Sequence, residues 1–149
     1  MKASWRQKMI MGIMPALPGL GWLALWQEWW RTEYYGPTLF CGGAALLIVA
    51  VLFALRIGNQ LFLKSRFWTG AAVMLSVGIG WAAALGVMGI LNLTPLCVGA
   101  DNGDGNNDLG RCVVYTVLWA IFYTPVVLAA SGGCAVLAAV LHQNKEAGG

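Results

Sequence analysis

The chain has 149 residues, of which 59% are hydrophobic and only 10% charged, and its formal net charge is +3. Soluble domains average about 45–50% apolar and about 25% charged residues, so this composition excludes a surface that meets water all round, and with it disorder, collagen and coiled coil. The charge is too small and too dispersed to mark a nucleic-acid partner; the expected partner is a lipid bilayer, and the expected fold is an all-α membrane protein with four transmembrane helices in a bundle.

Charges punctuate the chain, and the uncharged stretches between them are the predicted spans. The first, 9–26, reaches about 27 Å as a helix, close to the hydrocarbon thickness. Lys2, Arg6 and Lys8 before it resemble the positive start of a signal peptide, but Pro15 and Pro18 interrupt the run. Bulky Trp22, Trp26, Trp29 and Trp30 crowd the place where a peptidase needs small residues. It is therefore read as a span. Gly12, Pro15, Pro18, Gly19 and Gly21 predict a kink or unwound turn over 15–21.

The second span is 37–55, ended by Arg56. The third, 67–92, is about 39 Å long and needs tilt to fit. The fourth, 113–141, carries Pro125 near its middle, and the segment 93–112 is the loop that joins it to the third. The chain is one domain of these four spans, with no detectable internal repeat.

Lys and Arg in short loops set orientation. Lys2, Arg6, Lys8, Arg56, Lys64, Arg66 and Lys145 fall on one side, against Arg31 and Arg111 on the other. Seven against two predicts both termini in the cytoplasm. Trp26, Trp29, Trp30, Tyr34, Tyr35, Tyr115 and Trp119 then mark the outer boundary, and Trp5, Phe67 and Trp68 the inner one. Aromatic rings gather there because their polar tips need water while their bodies do not.

Lipid is as apolar as leucine, so helices in it associate by close backbone approach at small residues. The third span offers two such rows at fourfold spacing: Gly78, Ala82, Gly86 and Ser76, Gly80, Ala84. The fourth carries a cluster from Ala129 to Ala139, and the second has Gly42, Gly43, Ala44 and Ala45. The third span is expected at the centre, its small face against the second or fourth.

Four cysteines are present. Cys97 and Cys112 flank the outer loop and are predicted to form a disulfide, a closure worth about 3 kcal/mol. Cys41 and Cys134 differ in depth by about 25 Å, far beyond the reach of a disulfide. Each is expected to be a small buried apolar residue. Inside the stapled loop, Asn102, Asp104 and Asp108 align with three ligand positions of a calcium loop, but Ala100 and Arg111 occupy the first and twelfth. Calcium binding there would be weak, and a turn-rich polar loop explains the composition better.

No Asp, Glu, Lys, Arg or His lies inside a predicted span. Proton-coupled transport and voltage sensing place such groups in the membrane, so neither is expected. No cofactor, resident metal or catalytic residue is predicted. The expectation is a non-enzymatic protein of a bacterial inner membrane that acts through a membrane-protein partner or as a homo-oligomer. It would be an accessory or assembly subunit of an envelope complex, or an immunity- or exclusion-type protein. The alternatives are an oligomeric channel or uncoupled permease built on the broken first span, and an outward-facing thiol-redox enzyme using Cys41, which lacks the usual C-x-x-C pair.

Overall fold

A proline has no amide hydrogen to donate, so a helix that reaches one loses its ladder there. The computed structural model describes residues 5–26, 36–58, 65–92 and 108–147, and Pro15 has this effect in it. Helix α1 (Trp5–Ile13) ends just before it and α2 (Ala16–Trp26) begins just after. The amide of Met14 still donates to the Ile10 carbonyl at 3.0 Å, so the ladder breaks only at the proline. Pro18 falls in the first turn of α2, where its missing donor would be unpaired in any helix. The break thus sits at the start of the predicted 15–21 stretch, and Gly19 and Gly21 remain helical.

Three longer helices follow: α3 (Gly36–Gly58), α4 (Arg66–Asn92) and α5 (Asp108–Ala147). Among the described residues there is no strand. Four stretches are long and apolar enough to cross a membrane: Lys8–Leu25, Leu39–Ile57, Arg66–Leu91 and Ala120–His142. Helix α5 starts at Asp108 rather than at the expected 113. An acid at the first residue suits the positive end of a helix dipole, a cue that the search for uncharged runs passes over. At 40 residues α5 is about 60 Å long, roughly twice the thickness of a bilayer's hydrocarbon core.

Close approaches fix the register. A Cβ on Gly12 would lie 4.0 Å from Leu55 Cδ2, and one on Gly19 only 2.8 Å from Leu47 Cα. Residue numbers rise along one helix as they fall along the other, so α1–α2 runs antiparallel to α3. Gly42 against Met88 and Gly80 against Leu46 and Ala50 set α3 antiparallel to α4. Gly70 against Ala135 and Trp81 against Thr124 do the same for α4 and α5. Helix α4 packs along both α3 and α5, whereas α2 packs chiefly on α3 and only lightly on α5. The start of α1 and the finish of α5 therefore share one end of the bundle, called the proximal end below.

Two apolar clusters fill the interior. The proximal one joins Ile10, Met11 and Met14 to Ala54, Val73 and Ala138. The distal one joins Trp22, Leu39 and Leu46 to Val77, Trp81, Met88 and Val127. Outside them, Leu52, Ile121, Phe122 and Val126 each expose more than half their surface. Water would not tolerate that much apolar area in mid-helix; hydrocarbon does. Cys41, expected to be buried, is exposed. The helix carries it onto the same outward stripe of α3 as Ile48, Leu52 and Leu55, a spacing of roughly two, three and four turns. Cys134 is half-buried beside the proximal cluster.

A Cβ on Gly80 would sit 2.8 Å from the Leu46 carbonyl oxygen and 2.9 Å from Ala50 Cβ, whereas one on Gly78 would meet nothing within 4 Å. Gly80→Ala should therefore destabilise the bundle by about 1–3 kcal/mol through forced separation of α3 and α4. Gly78→Ala should be neutral, or stabilising by up to about 1 kcal/mol from helix propensity. Thermal unfolding of the two variants in detergent checks this ordering.

Candidate functional site

An indole N–H buried in hydrocarbon must find an acceptor, and the distal half of the bundle is organised by two such donors. Trp22 on α2 lies across α3 and donates from Nε1 to the Leu39 carbonyl at 2.9 Å. Gly43 makes that approach possible, since a Cβ there would collide with Trp22 Cδ1 and with the Leu23 side chain. Gly43 stands one helical turn after Leu39. The side chain it lacks is the one that would otherwise cover the carbonyl that Trp22 reaches.

Trp81 on α4 donates from Nε1 to Thr124 Oγ1 on α5, also at 2.9 Å. The Thr124 hydroxyl in turn donates to the Ala120 carbonyl one turn back at 2.5 Å. This chain stands beside Pro125, which lies inside α5 and contributes no amide hydrogen. The hydroxyl thus serves as acceptor for one helix while remaining anchored to its own. The Trp22 and Trp81 rings meet edge to face with centroids 5.2 Å apart, and Trp22 and Tyr123 do so at 4.9 Å. Helices α2, α4 and α5 are joined at this point by rings and hydroxyls rather than by glycine.

The other buried hydroxyls serve their own helices. Ser76 donates to the Ala72 carbonyl at 2.6 Å, Ser131 to Leu128 at 2.8 Å and Thr69 to Ser65 at 3.3 Å. Such back-bonds remove a donor from circulation and leave no nucleophile aimed at a neighbouring helix. Among the described residues no group of three His, Cys, Asp or Glu could hold a metal ion. His142 is buried at the proximal end of α5.

The two small-residue rows of α4 part company. Gly80 and Ala84, with Ser76, lie buried, and Gly80 is in near contact with the α3 backbone. Gly78 and Gly86 face open space, and Ala82 beside them is exposed. The row divides because α3 can occupy only one side of α4. On α5, Ser131, Ala135 and Ala138 are buried while Ala129, Ala130 and Gly133 are exposed. Cys97, Asn102 and Asp104 lie outside the described residues, as do the side chains of Asp108 and Cys112, whose backbones belong to α5. The proposed disulfide and calcium positions are therefore not part of the site described.

Sequence reasoning overlooked Trp81. Its signal was its depth, ten residues short of Leu91, where a boundary explanation of tryptophan fails and a buried hydrogen bond is required. No family model, curated protein or solved structure gives a significant match to this chain, so the residues alone carry the functional reading.

Trp81→Phe keeps an aromatic ring but deletes the donor, and should lower stability by about 1 kcal/mol. Trp81→Ala should cost about 3–5 kcal/mol by opening a cavity among Trp22, Val77 and Val127. Equal melting temperatures for the wild type and the Phe variant would show that the Trp81–Thr124 bond contributes nothing.

Proposed function

We propose that the protein acts by lateral contact with another membrane protein. It would be an accessory or assembly subunit of an envelope complex, or an immunity- or exclusion-type protein. The observation that carries this reading is the open Gly78–Ala82–Gly86 row on α4. In lipid such a row lets a second backbone approach closely, and none of the described residues covers it. The hydroxyls of Ser76, Thr124 and Ser131 are already engaged within the bundle, which supports a binding role over a catalytic one.

We assign the protein to a bacterial inner membrane with both termini cytoplasmic, on the seven-to-two bias of Lys and Arg between its two sides. A Cys97–Cys112 disulfide would then staple the loop on the oxidising side. A channel through the broken first helix has less support, because Met14 and Pro15 at the break are buried in the bundle.

Affinity purification from native membranes tests the proposal. A second membrane protein should be retained in stoichiometric amount, and Ala82→Leu, a change at an exposed position, should release it without altering the melting temperature. Recovery of the chain alone, or only of its homo-oligomer, would contradict it.

A further inference from the structure

The proximal end of the bundle gathers exposed cations from several helices: Arg6 and Lys8 on α1, Arg56 on α3 and Arg66 on α4. The acid that the sequence places near this end, Glu146, follows directly on Lys145.

Two of these cations flank one seam. Gly12 and Leu55 bring α1 and α3 together, with a Gly12 Cβ position 4.0 Å from Leu55 Cδ2. Lys8 lies one turn before Gly12, towards the proximal end, and Arg56 follows Leu55 directly. Two like charges carried on neighbouring helices at one end of a seam favour an anion between them. Towards the bundle's middle both helices carry exposed aliphatic residues, Ile13 on α1 and Leu52 on α3. Trp5, three-quarters exposed, stands beside the cations, the position of a ring that anchors at a headgroup layer.

A ligand that suits this surface is anionic at one end and apolar along the rest of its length. A free anion meets only the first requirement, and a zwitterionic lipid carries a compensating positive charge into the cation pair. We propose that Lys8 and Arg56 form a headgroup site for an anionic phospholipid, whose acyl chain lies along the α1–α3 seam. The site rests on the membrane reading but not on the Gly78–Ala82–Gly86 face, which belongs to α4.

Native mass spectrometry of the full chain in neutral detergent tests the site, with phosphatidylglycerol, phosphatidylcholine and inorganic phosphate as probes. Phosphatidylglycerol should bind more tightly than phosphatidylcholine. Removing each cation should weaken phosphatidylglycerol binding about fivefold, so Lys8→Gln/Arg56→Gln should weaken it about twenty-five-fold. The charge-keeping double variant Lys8→Arg/Arg56→Lys should retain binding, which separates loss of the site from loss of the fold. Arg6→Gln/Arg66→Gln removes equal charge away from the seam and should cost less than fivefold. Equal losses from the two Gln pairs would reduce the site to diffuse attraction and overturn it. So would equal binding of the two lipids, or displacement of phosphatidylglycerol by inorganic phosphate. Partner retention through the α4 face should be unchanged by Lys8→Gln/Arg56→Gln, so the two proposals fail independently.

Discussion

Hydrocarbon gives an apolar helix no reason to leave it, so everything in this bundle depends on how closely its backbones approach one another. Gly19 against Leu47, Gly80 against Leu46 and Ala50, and Gly70 against the Ala135 carbonyl are the places where that approach is achieved. Each lies at a seam between antiparallel neighbours, and at Gly19 and Gly80 a single methyl group would push the helices apart. Where glycine does not join helices, the polar tips of aromatic residues do. Trp22 and Trp81 tie α2 to α3 and α4 to α5 through hydrogen bonds of 2.9 Å, and in a medium without water such bonds have no competitor.

The same constraint accounts for what the interior does not do. A hydroxyl in hydrocarbon takes the acceptor within reach, which in a helix is the carbonyl three or four residues back. Ser76 and Ser131 follow that rule, and Thr124 departs from it only by also accepting from Trp81. These hydroxyls are thereby engaged within the bundle, and the outward faces of the helices are left for contact with other molecules. The open row on α4 offers close approach to another helix, and the proximal cations offer charge to a headgroup. A lateral partner and an anionic lipid would use different helices and different physics.

Much of this was legible beforehand because length, charge and hydropathy report directly on the solvent. The four apolar stretches, the interruption near Pro15 and the position of α4 between α3 and α5 all followed from the residues. What was not legible needed a neighbour. Two rows of small residues on α4 look alike in sequence, and only the placement of α3 decides that Gly80 is buried while Gly78 is not. Cys41 was expected inside because cysteine is usually buried, but in lipid the outward face is also apolar and sets no penalty against it. The start of α5 at Asp108 is not legible from uncharged runs, because Arg111 interrupts the run that continues from 113. The depth of Trp81 is legible in the sequence, and a buried indole N–H at that depth requires an acceptor.

Collision of nitroxide labels with dissolved oxygen and with a polar nickel chelate tests most directly whether lipid is the solvent of the outward faces. Labels at Leu52, Ile121 and Val126 in reconstituted bilayers should collide readily with oxygen and hardly at all with the chelate, while a label at Val77 should be shielded from both. Ready access of the chelate to the first three positions would contradict the account.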